Sequence, residues 1–127
     1  MPVLGVGGIF FRANDPDGLS AWYREHLGIG AGCAAEGTGP VDEWSWTVQG
    51  GPLVFAPFEA GTDYWPADQQ FMLNLRVSDL DGLLDELRAA GIAVTVDPSW
   101  DSPETGRFAR VNDPEGHPIE LWEPPPA

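Results

Sequence analysis

Arg12 and Arg76 stand first in two near copies of one octapeptide. Residues 12–19 read Arg-Ala-Asn-Asp-Pro-Asp-Gly-Leu and residues 76–83 read Arg-Val-Ser-Asp-Leu-Asp-Gly-Leu, so five of the eight positions agree. Two guanidinium groups at equivalent places could clamp a carboxylate, since each offers a planar fork of donors. The plainer alternative is pairing with a nearby acid, Asp15 for Arg12 and Asp79 for Arg76. Trp44 and Trp46 are two residues apart, and Glu43, Ser45 and Thr47 between and beside them are polar. On a strand this pattern gives one aromatic face and one wet face. Single aromatics of this kind are more often core; they form a ligand platform where polar groups converge on them.

Other chemistries are excluded by composition. All six basic residues are Arg, so Schiff-base chemistry and a pyridoxal-phosphate anchor are ruled out for want of lysine. Cys33 is the only cysteine, which excludes an intrachain disulfide and a cysteine-based metal site. His26, at the end of a helix, and His117, in a turn, read as structural or solvent-facing groups. The formal charge of −14 repels phosphate backbones and anionic membranes, so neither nucleic acid nor a membrane is expected as a partner. The first residues lack the basic stretch of a secretory signal, and no run of eighteen apolar residues occurs, so a cytoplasmic protein is expected.

The elements that must position these side chains follow from the repeat. At 127 residues the chain is long enough for one domain and too short for two. The reading is a single domain of two modules, at about 4–58 and about 69–124, with a linker at about 59–68. Val6 to Arg12 suits a strand; Asp15 then caps a helix with Pro16 at its first position and Gly28 as its stop. Gln70 to Val77 repeats the strand, Ser78 or Asp79 the cap, and Leu80, Leu83, Leu84 and Leu87 form the buried stripe. Further strands are expected at Asp42 to Gln49, Leu53 to Phe58, Ala93 to Val96, Phe108 to Asn112 and Pro118 to Trp122. The polar loops 59–69 and 97–106 are candidate lids.

Two such units, with Trp22-Tyr23-Arg24-Glu25-His26-Leu27-Gly28 closing the first helix and Asp113-Pro114-Glu115-Gly116-His117-Pro118-Ile119-Glu120-Leu121 closing the chain, resemble the vicinal oxygen chelate superfamily. That superfamily includes glyoxalase I, the extradiol dioxygenases, fosfomycin-modifying enzymes and the bleomycin-resistance proteins. The resemblance implies an α+β fold in which two βαβββ modules build a cup-shaped, half-barrel mixed sheet with helices outside. It also implies a homodimer. The family's metal positions fall here on Gly8, Phe55, Met72 and Glu120. Gly has no side chain, Phe no donor atom, and Met only a soft thioether, so the metal site is expected to be lost and no cofactor is expected.

On that fold, strand alternation places Phe10, Trp44, Trp46, Phe55, Met72 and Trp122 around a cavity on the concave face. Arg12, Gln70, Asn74, Arg76 and Glu120 are its polar groups. The first functional reading is a metal-independent protein, similar to the resistance branch, that binds an aromatic or heteroaromatic small molecule by stacking and hydrogen bonds. The rival is a glyoxalase-like lyase or isomerase, or a dioxygenase-type enzyme, in which Glu120 serves as base or metal ligand. An accessory module with an occluded cup is the third.

Overall fold

The computed structural model describes residues 6–29, 46–51 and 53–126. The chain divides into two compact units, Met1–Trp46 and Thr47–Ala127.

In the first unit the described structure centres on helix α1, Pro16–Leu27. The Asp15 carboxylate accepts from the Gly18 amide at 3.1 Å, Pro16 occupies the first turn, and Gly28 ends the helix in the left-handed region at φ 68°. Leu19 and Tyr23 are its buried residues, four apart as one helical face requires. Tyr23 meets the rings of Phe11 and Trp22 edge-on, at 6.2 and 5.1 Å.

Among its described residues, the second unit is an open three-stranded sheet with one α-helix. Strand β1 is Leu73–Arg76, helix α2 is Leu80–Ala89, β2 is Arg107–Asn112 and β3 is Pro118–Glu123. The strand order is β1-β3-β2, with β1 parallel and β2 antiparallel to β3. A single 3-10 turn, Pro98–Trp100, is capped by the Asp97 carboxylate on the Ser99 amide. The parallel pairing of β1 and β3 needs a crossover, and α2 lies within it. Asp79 caps α2 through the Gly82 amide at 3.1 Å, as Asp15 caps α1 through Gly18. Glu123 of β3 takes the Leu80 amide at 3.0 Å, which fixes the start of the helix to the end of the strand.

The core follows the alternation of the strands. Ala109, Val111, Ile119 and Leu121 are buried, as are Leu80, Leu84 and Leu87 of α2. The spacing of the three leucines puts them on one helical face. Each such side chain contributes roughly 1.5–3 kcal/mol on removal from water. The other face of the sheet carries Asn74, Arg76, Phe108, Arg110, Glu120 and Trp122.

This architecture overturns the expectation of two βαβββ modules curled into a half-barrel cup. Among the described residues the sheet has three strands and is open. Residues 6–12 and 53–58 form no strand, and Ala93 to Val96 yields only a bridge between Thr95 and Arg110. Asp42 to Gln49 lies partly outside the described residues. The physical reason is that apolar runs supply a strand's side chains but not its partner. Gly7-Gly8 and Gly50-Gly51, at or beside these runs, weaken extended pairing further. The matched octapeptides span the cap and first turn of each helix, and that is where the two copies agree; they say nothing of the strands beyond.

No helix among the described residues is long and apolar enough to cross a membrane.

Candidate functional site on the polar face of the sheet

Glu120 is the centre of this face. It lies in the middle of β3, opposite Asn74 of β1 on one side and Arg110 of β2 on the other. Although charged, it is only 7% exposed. A carboxylate this buried must have its oxygens satisfied. Asn74 Nδ2 donates to Oε1 at 2.7 Å, and the Tyr64 hydroxyl donates to Oε2. Asn74 arrives by register, since it is the parallel partner of Glu120. Tyr64 arrives from the loop 59–69.

That loop is a strap held by its own turns. The Thr62 amide donates to the Glu59 carbonyl and the Gln69 amide to that of Pro66, both at 3.0 Å, and Trp65 Nε1 donates to the Gln69 carbonyl at 2.8 Å. Arg110 anchors it from the sheet, with Nη2 donating to the Tyr64 carbonyl at 3.0 Å. The same guanidinium lies 4.9 Å from the centre of the Tyr64 ring and 5.5 Å from that of Trp100. Phe58 stacks on Tyr64 at 5.8 Å, and Trp100 meets it edge-on at 6.1 Å. Arg110 Nε is buried without a hydrogen-bond partner among the described residues, a costly arrangement that an acceptor would relieve. An open depression of about 570 Å³ follows residues 61–67 beside Arg110.

Electrostatics mark Tyr64 as the perturbed group. Burial, then the hydrogen bond to Glu120 and the charge of that residue, push its hydroxyl from 10 up to about 12, against the opposing pull of Arg110. At neutral pH Tyr64 is therefore a committed donor. Next along the face, Trp122 stacks on Phe108 at 6.2 Å with planes 6° apart, and its Nε1 donates to the Thr105 carbonyl at 2.7 Å.

Of the site residues expected from the sequence, the structure brings Asn74 and Glu120 into contact and sets Arg76 and Trp122 on the same face. Arg76 Nη2 donates to the Gln49 and Gly50 carbonyls, at 2.8 and 3.3 Å. Met72 is half-buried and Gln70 exposed, both ahead of β1. Phe55 is 88% exposed and lies outside the sheet. Phe10, Arg12 and Trp46 belong to the other unit, where all three are exposed, and Trp44 lies outside the described residues. Sequence reasoning missed Tyr64, Trp100, Phe108 and Arg110. Phe108 and Arg110 were within its reach, because they alternate along an expected strand. Tyr64 and Trp100 sit in the two loops read as lids, where no periodicity points to a partner.

The described residues at the positions that the resemblance assigns to metal ligands do not suit a metal. Of the four positions that the resemblance assigns to ligands, only Glu120 carries a suitable donor, and both its oxygens are engaged by Tyr64 and Asn74. Among the described residues, no three His, Cys, Asp or Glu side chains cluster as a metal would require.

A family model for the glyoxalase-like domain matches residues 8–122, and the chain belongs to that family. Its membership places it with the glyoxalase and bleomycin-resistance proteins of the vicinal oxygen chelate superfamily. Among solved structures it is similar in fold to TnmS3, an antibiotic binding protein from Streptomyces sp. CB03234, with 21% identity, a TM-score of 0.55 and 98% of each chain covered. A glyoxalase/bleomycin resistance protein from the same organism matches over 42% of this chain and 46% of its own, at 33% identity and a TM-score of 0.33. No curated protein matches.

Proposed function

We propose that the chain is a metal-independent binding protein for an aromatic or heteroaromatic small molecule, with the polar sheet face around Glu120 as its site. One observation carries the reading: a buried carboxylate is held by Asn74 and Tyr64 amid Phe58, Trp65, Trp100 and Arg110, a mixture of few polar groups and many rings that suits a planar ligand. Family membership agrees with small-molecule binding, and the antibiotic binding of the fold-similar TnmS3 makes planar antibiotics natural candidates. A lyase or isomerase with Glu120 as base is the competing reading. Both carboxylate oxygens already accept hydrogen bonds, from Tyr64 and Asn74, so a substrate proton would have to approach one of their remaining lone pairs. The same reading includes pairing of two chains.

The test is a panel of planar aromatic compounds titrated against intrinsic Trp fluorescence. A ligand of this site quenches Trp65 or Trp100, and Glu120→Gln and Trp100→Ala each weaken it. A ligand whose affinity both variants leave unchanged would move the site elsewhere; consumption of the compound that Glu120→Gln abolishes would make the protein an enzyme.

A further inference from the structure

The Tyr64 side chain makes the contacts that a bound phenol would make. Its ring stacks on Phe58 with planes 17° apart and meets the edges of Trp65 and Trp100 at 6.5 and 6.1 Å. The Arg110 guanidinium lies over it at 4.9 Å, and its hydroxyl donates to the buried Glu120 carboxylate. Stacking, a cation over the ring and one directional hydrogen bond are the means by which proteins hold planar hydroxylated ligands. Yet this ring belongs to a loop without regular secondary structure, beside an open depression. Rotation about its side-chain bonds would vacate the niche without unfolding the sheet.

We propose that Phe58, Trp65, Trp100, Arg110 and Glu120 form a phenol-recognising subsite, and that Tyr64 fills it in the free protein as an internal ligand which an external one displaces. The inference rests on the reading of this face as a binding site and names the chemistry of its ligand. An entering compound must replace the Tyr64 hydroxyl with a donor of its own, because Glu120 would otherwise be left buried with an unsatisfied oxygen. The ligand class is thus a planar aromatic bearing a hydroxyl. An aromatic carboxylate in its place would set like charges against each other at Glu120.

The probe is p-cresol, the side chain of tyrosine as a free molecule, titrated by calorimetry and by Trp fluorescence. Tyr64→Ala is expected to bind p-cresol at least about tenfold more tightly than the native chain, whose own ring competes, and to bind toluene about tenfold more weakly than p-cresol, the worth of one hydrogen bond to a charged group. Adding Glu120→Gln, which keeps an acceptor but loses the charge, should shrink the preference for p-cresol over toluene, and Glu120→Leu, which has no acceptor, should erase it. If Tyr64→Ala fails to fold, Tyr64→Phe serves, since it keeps the ring and loses the donor: it should bind p-cresol more tightly than the native chain does. Equal p-cresol affinity in native and variant chains, or no discrimination against toluene by folded Tyr64→Ala, overturns the subsite. Those results would leave the broader reading standing if a panel compound still bound with Glu120 dependence, so the two failures are separable.

Discussion

Arg110 stands directly across from Glu120 in the antiparallel register of β2 and β3, but its guanidinium turns to the loop and donates to the Tyr64 carbonyl. The pair is joined through a third residue, since Tyr64 receives Arg110 at its carbonyl and ring and gives its hydroxyl to Glu120. A direct ion pair would have spent both charges within the sheet. The bridging arrangement spends them on holding the strap.

Arg110→Ala should therefore free the strap more than it weakens the sheet. The expected loss is about 1–2 kcal/mol, from one hydrogen bond and two cation-ring contacts. Arg110→Lys should recover little of it, because an ammonium lacks the planar fork. Urea unfolding of the three proteins, with protease cutting within 59–69 as the local readout, checks both statements. Native-like resistance to cutting in Arg110→Ala would show that the strap holds without it.

Tyr64 makes stability depend on alkaline pH. A folded-state value raised from 10 to about 12 means that the folded protein holds the proton more tightly than the unfolded chain does. The stabilisation is fully present below pH 10 and lost as pH rises through 12. Because the ring is partly exposed, solvent screening limits the effect to the order of 1 kcal/mol. Denaturant midpoints measured between pH 9 and pH 12 should fall in the native protein and stay flatter in Tyr64→Phe. Parallel curves would remove Tyr64 as the cause.

The proposed pairing of two chains can be tested against the surfaces that the described residues leave bare. β1 is the outermost strand on its side of the sheet, and Phe10, Phe55 and Phe71 are 88%, 88% and 83% exposed. Open edges and bare rings favour pairing, whereas a formal charge of −14 on each chain opposes it. Light scattering should then give twice the chain mass of 13.7 kDa, and the dimer fraction should grow between 20 mM and 500 mM salt as repulsion is screened. A monomer at both salt concentrations counts against pairing.

The sequence made the helices and the face of β3 legible, and for definite reasons. Asp15 and Asp79 cap helices in identical settings, and in both a Cβ on the glycine three residues later would collide with the capping carboxylate. The motif Asp-x-x-Gly thus encodes its own geometry. Alternation set Asn74, Glu120 and Trp122 on a common face, and in the sheet Asn74 lies opposite Glu120 and Arg76 opposite Trp122, while Ile119 and Leu121 between them are buried. Extension of that logic to residues 6–12 and 53–58 failed because pairing is a property of two segments, and hydrophobicity reports on one. Tyr64 was invisible because loop positions carry no period, and its role depends on a contact across fifty-six residues.

Gly106 offers the sharpest test of the sheet itself. It precedes β2 with φ 102°, a backbone region that side-chain-bearing residues avoid. A Cβ there would fall on the Glu123 carbonyl oxygen and press on the Pro124 backbone, neither of which can swing aside as a side chain could. Gly106 also exchanges both backbone hydrogen bonds with Ser102, at 2.8 and 3.0 Å, closing the turn that leads into β2. Gly106→Ala therefore combines backbone strain with a clash and should cost about 2–4 kcal/mol. Gly116, in the turn between β2 and β3, has φ 85° but open space around its Cβ position, so Gly116→Ala carries the strain alone and should cost about 1–2 kcal/mol. Thermal melts of the two variants, side by side, separate the contributions. Equal losses would mean that the end of β3 yields to the intruding methyl group, and that the pairing of β2 with β3 is softer there than its register implies.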